Sequence, residues 1–183
     1  MARDLSKILI IDLEATCWDS EHPPEGQRNE IIEIGCVLFD LKKFEILKES
    51  SILVKPQFST ISEFCTKLTT IDQYLLNKEG MNFPEAIEML KKEFKPRDIT
   101  WASYGDYDRV QMDKNCELYS VKNPLGRTHK NIKNDFAIKY GLNREVGMEQ
   151  ALKFLEIPLV GTHHRGLADA KNITEIFKRI WTK

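Results

Sequence analysis

The chain has 183 residues, with 27 Lys and Arg against 28 Asp and Glu, a formal net charge of −1, and 42% hydrophobic residues. That size and mixture suit one compact domain over residues 1–183 and leave little room for a second. A protein that coats long DNA or RNA is usually basic, so the near-neutral balance does not point to a long nucleic-acid footprint, and no apolar run approaches the roughly 20 residues of a membrane span.

The opening segment Met1–Lys7 places charge on both sides of one leucine and lacks the longer apolar stretch of a secretory signal. A cytoplasmic protein is therefore expected. Cys17, Cys36, Cys65 and Cys116 are irregularly spaced, with no Cys-x-x-Cys pair, so reduced, buried thiols are expected and not a zinc site or disulfide framework.

Residues 7–13 (KILIIDL) form a β-branched apolar run, the signature of a strand buried on both faces. Residues 19–29, with Pro23, Pro24 and Gly26, read as a loop. Residues 30–40 and 46–54 follow as two more strands, joined by a short polar turn, so an antiparallel meander is expected. Short helices are expected over 60–68 and 71–77. Asn82, Pro84 and Glu85 then open a stronger helix, with Ala86, Ile87, Leu90 and Phe94 as its apolar stripe. Residues 99–104 are the next strand and run into a helix from about 106 to 118. A weak fifth strand is placed near 127–132, and helices over 133–140, 148–155 and 167–181. Strands first and helices later indicate an α/β domain, a mixed sheet flanked by helices.

The informative residues are acids in unfavourable places. Asp12 and Glu14 are two apart at the end of the first strand, so they share a face. Two neighbouring carboxylates repel and are costly to bury, and a hard divalent cation such as Mg²⁺ or Mn²⁺ resolves both problems. Asp106 and Asp108 follow the fourth strand; either can reach the end of the sheet, and Asp106 also suits a helix cap. Asp169 lies early in the last helix, and His164 precedes it by five residues on the entering loop. A histidine beside an acidic metal site is a natural proton acceptor. Acids from these three places converge only at one sheet edge, and four carboxylates suffice for the two-metal arrangement of in-line phosphoryl displacement.

Residues 12–18 (DLEATCW), 31–35 (IIEIG), 64–71 (FCTKLTTI), 101–108 (WASYGDYD) and 164–170 (HRGLADA) together resemble the DEDDh 3′→5′ exonucleases. More narrowly, they are similar to the branch of the histone-mRNA 3′ exonuclease and the KapD-like proteins. The resemblance runs from Ile8 to about Ile176. It implies a ribonuclease H-like fold with a five-stranded mixed sheet. It also implies metal ligands Asp12, Glu14, Asp108 and Asp169, with His164 as general base; Asp108 is favoured over Asp106 because it follows the aromatic Tyr107. Glu14, Ala15, Thr16 and His164 would lie against the terminal nucleotide. The implied cofactor is a pair of Mg²⁺ ions, replaceable by Mn²⁺. The implied partner is single-stranded nucleic acid, RNA in preference to DNA, shortened from its 3′ end to nucleoside 5′-monophosphates. Larger eukaryotic relatives carry a SAP module before the nuclease, so recognition of a particular stem-loop is not expected here, and Tyr104 stands where many relatives have tryptophan.

Trp18 and Phe64 are candidates either to line a substrate entrance or to complete the core. Among the lysines, the set Lys130, Lys133 and Lys139 is favoured over Lys91, Lys92, Lys95 and Arg97 for contact with phosphates.

Overall fold

The computed structural model describes residues 4–20 and 22–182. Met1–Arg3, part of the opening segment read against a secretory signal, lie outside the described residues. Three strands come first: β1 (Asp4–Ala15), β2 (Ile31–Asp40) and β3 (Glu45–Leu53). Two short helices, α1 (Glu63–Thr69) and α2 (Gln73–Glu79), precede the longer α3 (Phe83–Phe94). The chain then alternates through β4 (Ile99–Ser103), α4 (Tyr107–Leu118), β5 (His129–Asn131) and α5 (Ile132–Lys139). It closes with α6 (Met148–Phe154) and α7 (Gly166–Trp181).

The five strands form one mixed sheet in the order β3-β2-β1-β4-β5. β1–β2 and β2–β3 pair antiparallel, as the hairpin-length connections require, while β1–β4 and β4–β5 pair parallel through helical crossovers. Side-chain alternation along β1 divides the core. Leu9, Ile11 and Leu13 face Phe83, Ile87 and Leu90 of α3 and Met112 of α4. Ile8 and Ile10 face Phe136 of α5, Leu152 of α6, and Ile173 and Phe177 of α7. Continuing the same period of two, Asp12 and Glu14 fall on the Ile8–Ile10 face, the one covered by α7. The register with β2 shifts between Glu14 and Ala15, which turns the strand end where the acids sit.

The helix signals hold locally. Asn82 accepts from the Glu85 amide while the Glu85 carboxylate accepts from Asn82 N, a reciprocal box that opens α3. The capping role considered for Asp106 is not found: its side chain makes no cap hydrogen bond and accepts from Arg109 instead. The reason is local geometry, since Asp106 has a helical backbone (φ −103°, ψ −7°) and not the extended one from which a cap side chain reaches forward.

α7 meets the sheet unusually closely. A Cβ on Gly35 would lie 2.0 Å from the carbonyl carbon of Gly166, so only glycine permits the first turn of α7 to rest on β2. This contact fixes how far Asp169 stands from β1. Among the described residues no helix is long and apolar enough to cross a membrane, and all four cysteines are free.

Candidate metal and catalytic site

Each acid reaches the site by a different element. Asp12 and Glu14 project from the C-terminal end of β1, Asp108 from the first turn of α4, and Asp169 from the first turn of α7. Together with His163, His164, Ala15, Cys17, Tyr104 and Tyr107, they line one cavity of about 320 Å³. Carboxylate oxygens of Asp12, Glu14 and Asp169 lie within 4.8 Å of one another. Asp108 reaches back over β1, where its Oδ1 accepts from Leu13 N at 2.8 Å. Asp106 instead is exposed and binds Arg109 and Asn131, so the geometry separates the two aspartates.

The concentration of negative charge is high for a buried place. Glu14, Asp108 and Asp169 are 8%, 4% and 3% exposed. Burial first, and then Asp169, Glu33 and Asp108, pushes the Glu14 carboxyl up to about 8. Asp12 is raised well above the carboxylate range, by burial and then by Asp108, Glu14 and Asp169. Burial raises Asp108 to about 6 against the opposing hydrogen bond from Leu13. Without a counter-charge these groups cannot all ionise at neutral pH. Asp169 Oδ1 is buried and accepts no hydrogen bond from any described residue. An orphaned carboxylate oxygen inside a carboxylate cluster fits a hard divalent cation, which supplies both the missing partner and the counter-charge.

The two histidines differ. His163 Nδ1 is 2.8 Å from Asp169 Oδ2, and the His164 backbone N–H donates to the same oxygen at 2.9 Å. His164 adopts φ +62°, which turns the chain there and stacks the two rings at 3.9 Å. Burial, then the adjacent His163, holds the His164 imidazole below its ordinary value, so it is neutral near pH 7 and able to take a proton.

Ala15 lines the cavity. Thr16 does not: it is fully buried, its hydroxyl donating to Arg28 O at 2.8 Å and accepting from Glu30 N at 2.9 Å. Trp18 is half-buried and Phe64 is exposed, and neither lines the cavity, whereas Leu68 of α1 does.

Sequence reasoning missed Glu33. Its side chain is 1% exposed and binds three donors: Ser51 Oγ at 2.6 Å, Arg165 Nε at 3.0 Å and Gly166 N at 3.0 Å. It thereby ties the loop carrying His164 to β2. Glu30, also fully buried, accepts from the backbone N–H groups of Gln57 and Phe58 and from the Tyr119 hydroxyl. Acids inside the apolar run of residues 30–40 were the available signal.

The family model described as Exonuclease (RNase T) matches residues 9–177. The chain is 28% identical over 188 residues to the 3′-5′ exonuclease Snipper of Drosophila melanogaster, covering 92% of this chain and 66% of that protein. It is 28% identical over 209 residues to the 3′-5′ exonuclease eri1 of Schizosaccharomyces pombe, covering 96% and 68%. The chain thus spans about two thirds of the length of these curated relatives. Among solved structures, the nuclease domain of 3′hExo, a DEDDh family member bound to rAMP, superposes with a TM-score of 0.88 at 28% identity, covering 98% of this chain and 94% of that one.

Proposed function

The chain belongs to the RNase T exonuclease family with a ribonuclease H-like fold, and from that premise we propose that it is a metal-dependent 3′→5′ exonuclease. Its substrate on this reading is single-stranded nucleic acid, RNA in preference to DNA, and its product a nucleoside 5′-monophosphate. Residues 1–183 act as a single exonuclease domain. The observation that carries the reading is the convergence of Asp12, Glu14 and Asp169 within 4.8 Å, beside an orphaned Asp169 oxygen.

Asp12, Glu14, Asp108 and Asp169 are the residues that would hold two divalent cations, Mg²⁺ or in its place Mn²⁺. Held there, such cations would supply positive charge at the scissile phosphate and the leaving 3′ oxygen and would acidify the attacking water. His164 accepts the proton of that water as the new P–O bond forms and the bond from phosphorus to the 3′ oxygen breaks, and the released 3′ oxygen takes a proton from solvent. Its depressed basicity keeps it unprotonated at neutral pH, the state a general base requires. His163, committed to Asp169, receives no proton-transfer role. Glu14 and Ala15 border the cavity where the terminal nucleotide would sit, and Tyr107, 55% exposed at its rim, offers a ring face to a base. Thr16 contributes by shaping the backbone behind Ala15. The 3′-end readings of the relatives support this polarity, since Snipper and eri1 are both named 3′-5′ exonucleases.

The test is digestion of matched 5′-labelled RNA and DNA oligonucleotides with Mg²⁺, Mn²⁺ or EDTA. A metal-dependent ladder shortening from the 3′ end, with RNA consumed faster, is expected. Absence of a ladder on both nucleic acids, with the metal bound, would overturn the proposal.

A further inference from the structure

The lysines favoured from sequence are occupied within the fold. Lys130 pairs with Asp135 at 2.9 Å, Lys133 with Glu145 at 3.7 Å, and the Lys139 ammonium caps backbone carbonyls at the end of α7. A different set of cations stands uncommitted. Lys95 and Arg97 lie between α3 and β4, Lys122 follows α4, and Arg127 precedes β5. All four are exposed. Among the described residues none of these four side chains has a hydrogen bond or ion pair.

These cations line two adjoining hollows. One is lined by Lys91, Lys95, Arg97 and Lys122, four cations against the single carboxylate of Asp98. The other shares Arg97 and Lys122 and adds Arg127, Arg109 and His129. The acid inside the second, Asp113, accepts from Asn123 at 2.6 Å. In a chain whose charges nearly cancel, such a concentration of free cations leaves the remaining surface net acidic. A polyanion would therefore be drawn to this face and turned away from others.

The second hollow and the carboxylate cavity meet at α4. The first turn of α4 is the wall between them: Tyr107 and Asp108 line the cavity, and Arg109 lines the second hollow. β4 runs from Ile99, beside Arg97, to Ser103, beneath the cavity. Five residues at about 3.3 Å each put the free cations roughly 15 Å from the acids. A strand whose 3′ end occupies the cavity reaches them several nucleotides upstream.

We propose that the Arg97–Lys122–Arg127 face binds the sugar-phosphate backbone of the nucleic-acid substrate upstream of its 3′ end, an inference that rests on the exonuclease reading for its direction. Backbone and not base recognition follows from what lines the face. Its one tryptophan, Trp101, is 2% exposed, with its indole N–H given to Gly126 O and its ring against His129. Among the described residues lining the face, the other ring, His129, is only 10% exposed, so the contact is electrostatic and independent of sequence.

The test compares the wild-type protein with the triple variant Arg97→Gln/Lys122→Gln/Arg127→Gln. Binding of a labelled single-stranded 20-mer is measured in EDTA across a salt series, and turnover of the 20-mer and of a trinucleotide is measured with Mg²⁺. Three lost phosphate contacts on a single strand should reduce the slope of log K against log salt by about 2, and weaken 20-mer binding about tenfold or more. KM for the 20-mer should rise accordingly, while kcat and all trinucleotide parameters stay unchanged. An unchanged salt slope, or equal losses on both lengths, would overturn the proposal. Because binding is read without turnover, a wild-type protein that binds with the expected slope but cleaves nothing would count against the exonuclease reading alone.

Discussion

Removing the metal should make this protein's stability depend on pH in a specific direction. In the metal-free state Glu14 is raised from 4.5 to about 8 by burial and by Asp169, Glu33 and Asp108. An acid whose folded value is raised contributes stability that is complete below its unfolded value and is lost as pH rises through the folded one. Chelated protein should therefore lose stability between about pH 4.5 and 8. At 1.36 kcal/mol per pKa unit the loss approaches about 5 kcal/mol for Glu14 alone. For a chain of this size that lowers the melting temperature by roughly 10–20 °C. Thermal melts from pH 5 to 8.5 in EDTA, repeated with Mn²⁺ and with Glu14→Gln, would measure it. Saturating Mn²⁺ at a hundred times its Kd should restore about 2.7 kcal/mol at pH 8. Glu14→Gln should make the chelated decline shallower, because the amide never ionises while Asp12 and Asp108 still do. A chelated wild-type protein whose melting temperature is as high at pH 8.5 as at pH 5, or a Glu14→Gln profile that declines just as steeply, would refute the reasoning.

Three further outcomes follow from the same geometry. Gly35→Ala forces a Cβ against the Gly166 backbone at 2.0 Å, so α7 must lift from β2; a loss of about 3 kcal/mol in denaturant unfolding, with reduced turnover, is expected. His164→Ala should lower kcat by roughly 10²–10⁴ with KM little changed, whereas His163→Ala should retain most of kcat; equal losses in steady-state assays would remove the distinction drawn between the rings. Glu33→Ala deprives Arg165, Gly166 and Ser51 of their shared acceptor, and a cost of about 3 kcal/mol, read from the urea midpoint, is expected.

Much of the scaffold could be read directly because its signals are local. The continuous apolar run of β1 gave the strand, the two-residue spacing of Asp12 and Glu14 gave their shared face, and the Asn82–Glu85 pair marked the start of α3. The choice between Asp106 and Asp108 was open on spacing alone, since both lie at the start of α4. What separates them is the packing of α4 over β1, which brings Asp108 to Leu13 N, and no local pattern encodes that. The histidine pair was half legible. Spacing pointed to His164, but the grip of His163 on Asp169 depends on a left-handed turn at His164 that its residue type does not announce. The ion pairing of the lysines was not legible for a similar reason: that Lys130 meets Asp135 depends on tertiary contacts no local pattern encodes.

The most direct test of the central claim is a side-by-side digestion of one 5′-labelled RNA, with its 3′ end either free or chemically blocked, by wild-type protein and by Asp12→Asn in Mg²⁺. The account predicts a ladder shortening from the free 3′ end, nucleoside 5′-monophosphate as the released product, and no cleavage of the blocked strand or by the variant. Internal cleavage of the blocked RNA, or a ladder of equal rate from Asp12→Asn, would contradict it.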